Sequence, residues 1–213
     1  MKRITPKTQS PKGFTLIELL TVMAIIAILA AILVPAVGIA TDQVKNAQSK
    51  GFFNQIATAI NQFKNEYGYY PTFGGNASAT GSDSIFVLDS STDTDHLFKA
   101  LTGRSYNGTP LGAGDAASFN PKRQTFMTFA QNNFATDLST GNVSDQIGDA
   151  FNNTNIVIVM DKNKDGILPA SAFTTGVTNI EDGNTYTPTV SGNVYATVAI
   201  YSAGNGEIIA TWN

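Results

Sequence analysis

Residues 14–34 form a run of 21 positions with one charge, Glu18. Such a run leaves few folds open. At about 1.5 Å per residue a helix of this length reaches roughly 30 Å, the thickness of a bilayer's hydrocarbon core. The segment therefore predicts a membrane-spanning helix. Four cations and no acid precede it: Lys2, Arg3, Lys7 and Lys12. The positive-inside asymmetry places that end in the cytoplasm and everything after Pro35 on the far side.

Glu18 does not suit a plain anchor. An acid at the centre of a membrane helix costs roughly 2.5–3.5 kcal/mol, less near the interface, and asks for a partner. Spacing leaves two readings open. In a simple signal anchor, Glu18 snorkels to the headgroups. If the chain is instead cut after Gly13, Phe14 gains a free α-amino group four residues upstream. The N-terminus of a neighbouring subunit can then neutralise Glu18 and set the stagger between subunits.

Gly13-Phe14-Thr15-Leu16-Ile17-Glu18-Leu19-Leu20 resembles the cleavage and methylation signature of type IV prepilins and type II secretion pseudopilins. The resemblance implies a prepilin peptidase that cuts after Gly13 and methylates Phe14, and an assembly role for Glu18. Pro35 falls where many members of that family kink the helix. The implied cut precedes the apolar region, whereas a secretory signal is cut after it, so the helix would be retained. Further along, the turn Gly68-Tyr69-Tyr70-Pro71-Thr72 resembles that of pseudopilins related to the major secretion subunit. Residues 145–153 resemble a family turn with its proline replaced by Ala150. The ending from Ser202-Ala203-Gly204 to Thr211-Trp212 is also similar to theirs.

Charge and composition narrow the function classes. The leader holds four of the 13 basic residues and none of the 16 acids, so the chain after Gly13 carries a net −7. With no cationic cluster outside the leader, no direct nucleic-acid partner is expected. The absence of cysteine excludes disulfides, thiol catalysis and cysteine-based zinc sites. His96, the single histidine, reads as a surface residue. No nucleophile motif occurs and no catalytic residues are assigned, so an enzyme is not expected.

The pattern after Pro35 predicts an α+β chain. The helix is expected to continue, with Phe52, Phe53, Ile56, Ala59, Ile60, Phe63 and Tyr67 at spacings of three and four. A separate second helix, broken at Gly38 or Gly51, is the alternative. Gly68 followed by Pro71 marks the stop. Residues 73–95 read as a loop holding a short strand or turn at 85–88. Residues 96–101 read as a short helix capped by Asp95 or Thr94 and stopped by Gly103. Apolar residues at 124–129 and Phe134 fit either a strand or a helical turn. Residues 156–160 are a continuous apolar strand, and 194–201 alternate as a second. A turn at Gly204-Asn205-Gly206 should lead into a hairpin partner at 207–212.

One loop has the oxygen pattern of a cation site. Asp161, Asn163 and Asp165 alternate, Gly166 supplies the sharp turn, and Ile167 offers a carbonyl, as in the first half of a calcium loop. The acid expected at the twelfth position is replaced by Ala172, so a further ligand must come from elsewhere, with Asp149 and Asp182 as candidates. A plain turn, in which Asp and Asn bond their own backbone, explains the same residues. The resemblance adds that major pseudopilins bind calcium in a C-terminal loop, which would make this ion a substitute for the missing disulfide.

The expectation is a type IV pilin-like α+β fold: leader 1–13, hydrophobic helix 14–35, amphipathic helix 36–67 and globular head 68–213. The resemblance implies a major-type pseudopilin of a type II secretion system. Such a subunit waits in the bacterial inner membrane, with its N-terminus cytoplasmic and its head periplasmic. After processing by the prepilin peptidase it joins a homo-oligomeric filament with other pseudopilins and the inner-membrane assembly platform. Two alternatives stay open: a type IV pilin of a surface fibre, and a singly tethered exported binding module.

Overall fold

The computed structural model describes residues 13–73, 77–80 and 83–212. The leader through Lys12 lies outside the described residues. Two compact units divide the chain, Met1–Asp42 and Gln43–Asn213. One helix, α1 (Leu16–Tyr67), supplies residues to both.

In the first unit, every described residue up to Thr41 is exposed. Among the described residues α1 is the one helix long and apolar enough to cross a membrane. It passes through Pro35 and Gly38 without leaving helical conformation. Proline lacks an N–H, so the bond to the Ala31 carbonyl is missing there. A second helix broken at Gly38 or Gly51 is thereby ruled out.

In the second unit, α1 buries one stripe: Ser49, Phe52, Phe53, Ile56, Ala59, Ile60 and Phe63. It ends as expected at Gly68, whose φ of 80° lies in the left-handed region. The Gly68 N–H donates to the Lys64 carbonyl at 2.8 Å.

The stripe packs on a five-stranded sheet, ordered β1 (Ala77–Thr80), β2 (Asp83–Leu88), β5 (Ile156–Met160), β10 (Val198–Ala203) and β11 (Ile208–Ala210), all neighbours antiparallel. Strand β5 is buried at every residue. Its Ile156, Ile158 and Met160 join the helix-side core with Phe53, Ile56, Phe86 and Ile200. Its Val157 and Val159 join a second core with Ile85, Phe173, Tyr201 and Ala203. Two covered faces are the reason the run is continuously apolar instead of alternating.

The second face is covered by short pieces. These are β6 (Leu168–Pro169) paired with β9 (Asn193–Val194), the 3-10 turn Ala170–Phe173, and β7 (Val177–Thr178) paired with β8 (Thr185–Tyr186). The strand expected over 194–201 is therefore two strands. Ala196 N–H donates to the Val194 carbonyl at 3.1 Å, a three-residue turn that stops extension between β9 and β10. The C-terminal hairpin is present, with Ser202 opposite Ile209 and the Gly204 N–H bonded to the Glu207 carbonyl.

Helix α2 (Ser91–Thr102) begins earlier than residues 96–101 suggest. Its N-cap is Ser90, whose hydroxyl accepts from the Asp93 N–H, in place of Thr94 or Asp95; Gly103 stops it with φ 68°. Residues 85–88 belong to β2, a full strand of the main sheet. A short helix α3 (Ala113–Phe119) follows. Phe134 opens β3 (Phe134–Thr136), paired with β4 (Val143–Ile147), while 124–129 form neither strand nor helix.

Candidate functional site

At the N-terminal end of α1, Gly13, Phe14 and Thr15 precede the first helical residue, and the Phe14 side chain is 82% exposed. Thr15 N–H and Thr15 hydroxyl both donate to Glu18 Oε2, at 2.8 and 2.7 Å. In return Glu18 N–H approaches Thr15 Oγ1 at 3.3 Å. This reciprocal pair is a capping box, and it satisfies donors that a helix start otherwise leaves unpaired. Within one chain, then, the Glu18 carboxylate is held beside the backbone of the residue following Phe14. The Thr-x-x-Glu spacing of Thr15 and Glu18 is the sequence signature of this capping box. Pro35 lies far along the same helix, exposed and away from this junction.

In the second unit, residues 161–167 connect β5 to β6 and make the turn expected of them. Asp161 is fully buried. Its Oδ1 accepts from the N–H groups of Lys164 at 2.7 Å and Asp165 at 3.2 Å, and its Oδ2 from Gly166 N–H at 2.8 Å. Asn163 Oδ1 accepts from Asp165 N–H at 3.0 Å, and Asp165 Oδ1 from Ile167 N–H at 2.8 Å. Lys164 and Gly166 take φ of 67° and 77°. The Lys164 ammonium reaches the Gly68 carbonyl, at 3.1 Å. The alternating side chains thus bind their own backbone, the arrangement on which both readings of this loop agree.

The two acids considered as outside ligands are occupied elsewhere. Asp149 accepts from Phe151 N–H, Asn153 N–H, Asn153 Nδ2 and the Ser202 hydroxyl. Burial pushes its carboxyl above the usual carboxylate range despite those donors. Asp182 accepts from Asn184 N–H and the Tyr186 hydroxyl, which hold its pKa down.

A different acid meets the loop. Ser84 is registered opposite Met160, so Asp83 at the start of β2 comes level with Asp161. Asp83 is 2% exposed, and its Oδ1 has no hydrogen-bond partner. Lys162 N–H donates to its carboxyl group; burial first, then the charges of Asp161 and Asp165, push its pKa up. Nothing in the sequence around Asp83 signals this, because the pairing of β2 with β5 creates it. Among the described residues, no group of three or more His, Asp or Glu side chains is gathered closely enough to hold a metal ion.

His96 is half-buried rather than free at the surface, stacked on Phe119 with ring centroids 4.7 Å apart, its Nδ1 3.0 Å from the Phe73 carbonyl. Tyr67, Tyr69 and Phe63 form a packed aromatic cluster.

Residues 9–34 match the family described as the prokaryotic N-terminal methylation motif. The chain is also similar to the type II secretion system core protein G of Pseudomonas aeruginosa, at 43% identity over 60 residues. That match takes in 28% of this chain and 42% of the relative, so the chain spans less than half of the relative's length. No solved structure matches the chain.

Proposed function

We propose that this pseudopilin-like chain, which carries the N-terminal methylation motif, is a major-type structural subunit of a type II secretion pseudopilus. The observation that carries the reading is the junction: an exposed Gly13-Phe14 step, then a capped helix whose apolar residues through Ala40 are all exposed and whose one acid in that stretch, Glu18, sits at its start. A helix apolar on all sides is stable only in lipid or against other apolar helices. Prepilin peptidase is expected to cut after Gly13 and methylate Phe14. The subunit then waits in the inner membrane with its head in the periplasm. Leaving the membrane for a filament exchanges lipid for neighbouring copies of the same segment. Glu18 makes that exchange selective, because a new α-amino group on a neighbour is the counter-charge an intramembrane acid needs. The same reading makes the protein a structural part and not an enzyme.

The test is a strain lacking this gene, assayed for secreted proteins and for surface fibres. Loss of secreted proteins with fibres intact is expected. Loss of fibres with secretion untouched overturns the reading in favour of a type IV pilin. No change in either points to a singly tethered module.

A further inference from the structure

We propose that the second unit carries complementary charged surfaces at two places along α1, through which one copy of this chain docks head-to-tail on another. This contact rests on the pseudopilus reading and adds to the apolar helix a surface of the head.

One surface gathers where α2 ends. The segment 120–124 is bonded to the last turn of α1, because the Lys122 ammonium pairs with Glu66 and the Lys122 N–H donates to the Tyr67 hydroxyl at 3.1 Å. The same segment lies against the end of α2, where a Cβ added at Gly103 would meet the Arg123 carbonyl carbon at 2.5 Å. Arg104 and Arg123, the two arginines after the leader, therefore stem from touching stretches of backbone. Both are exposed. Nearby lysines are matched, Lys122 by Glu66 and Lys99 by Asp95 and Asp115. Neither arginine meets an acid among the described residues; Arg104 Nη1 donates to the Gly108 carbonyl at 3.0 Å. Arg123 takes φ 52°, a conformation that suits Gly or Asn, so the turn does not account for an arginine there. A guanidinium without an acid suits a carboxylate, which its fork grips through two hydrogen bonds.

The other surface lies at the beginning of the α1 stretch that belongs to this unit. Two turns meet there, because Asn179 Nδ2 donates to the Gly204 carbonyl at 2.5 Å. They present Glu181, Asp182 and Glu207, all exposed, with Ile180 46% exposed beside them. Glu181 pairs with Lys45 at 3.8 Å, and Glu207 accepts from Asn46 Nδ2 at 2.8 Å, which fixes both turns to α1. Three acids against Lys45 leave this end negative.

Glu66 follows Lys45 by 21 residues of α1, roughly 30 Å at 1.5 Å per residue. Two different patches that fit each other make a heterologous contact, which extends into an open filament instead of closing a pair. A second copy is the occupant because it brings the carboxylates that the arginines lack. Exposed ion pairs are weak singly. Their role here is register, since like charges brought together reject a wrong alignment, while the apolar helices hold the polymer.

The experiment polymerises the processed full-length chain by detergent removal, read by sedimentation and electron microscopy. Arg104→Glu/Arg123→Glu and Glu181→Lys/Glu207→Lys should each raise the concentration needed for filaments at least about tenfold, with the unfolding temperature of the head unchanged. Mixed in equal amounts, the two should polymerise together, because each supplies the charge that the other has reversed. A chain with all four reversals should polymerise alone, and high salt should narrow the gap between wild type and either double variant. Filaments from either double variant at the wild-type concentration overturn this contact and leave the pseudopilus reading standing. Loss in both, with no recovery in the mixture, overturns it equally. A wild type that forms no filaments overturns the contact and the reading together. If a double variant fails to fold, Arg123→Glu, Glu181→Lys and their mixture decide in the same way.

Discussion

The first and second parts of α1 are both rich in large apolar residues, yet they end in opposite environments. Leu16, Ile32 and Val34 are 88%, 68% and 73% exposed, whereas Phe53, Ile56, Ile60 and Phe63 are fully buried. The difference lies in arrangement. Before Thr41 the apolar residues surround the helix; from Phe52 onward they occupy one stripe, with Asn54, Gln55, Asn61 and Lys64 between them. One sheet can bury a stripe, but it cannot bury a whole circumference. The first part therefore depends on surroundings outside the chain, and the second is satisfied within it. Losing an apolar side chain should accordingly register in assembly for one part and in folding for the other.

The largest expected effect tests the first part. Glu18→Ala should abolish filament formation, measured by sedimentation and electron microscopy, while leaving the unfolding temperature of the head unchanged. Glu18→Gln sharpens this, because glutamine can keep the capping box but carries no charge. Assembly lost with glutamine makes the charge decisive; assembly retained makes the cap sufficient.

Next comes the second part. Phe53→Ala should destabilise the head by about 3–5 kcal/mol through cavity formation, read by denaturant unfolding in detergent. Ile32→Ala should leave that unfolding unaltered. Equal losses in both variants would erase the distinction between the two parts.

Two glycines give a smaller contrast of the same kind. At Gly103, φ is 68° and an added Cβ would lie 2.5 Å from the Arg123 carbonyl carbon, so Gly103→Ala should cost about 1–3 kcal/mol. Gly38 has open space around it, and Gly38→Ala should favour the helix by about 1 kcal/mol, visible as helicity by circular dichroism.

The smallest effect is a pH slope. Burial raises the Asp149 pKa in the folded chain, while its partners Phe151, Asn153 and Ser202 are neutral. A raised folded pKa means the folded state holds its proton more tightly than the unfolded one. The associated stability is full below the unfolded value of about 3.9 and is lost as pH rises through the folded value. Unfolding temperature measured from acid upward should show this decline in wild type and a flatter profile in Asp149→Asn.

Much of this was legible because its causes are local. The end of α1 at Gly68, the stop of α2 at Gly103 and the hairpin after Gly204 each follow from backbone freedom at one residue. The wound loop at 161–167 follows from Asp and Asn bonding amides two to five residues on. Local signals also misled: Ser90 captured the start of α2 from Thr94 and Asp95, and the alternation across 194–201 concealed a turn at Ala196.

By itself the sequence determined the apolar helix, the Gly13-Phe14 junction, the acid at Glu18 and the turn chemistry, since each is written in residues adjacent or a helical turn apart. Tertiary structure alone decided that β5 has two covered faces, that Asp149 is spent on Ser202 and Asn153, and that Asp83 comes level with Asp161. Those outcomes depend on which strands pair. Pairing is set by the burial of β2, β5 and β10 together between two cores, a property of residues that are remote in the chain.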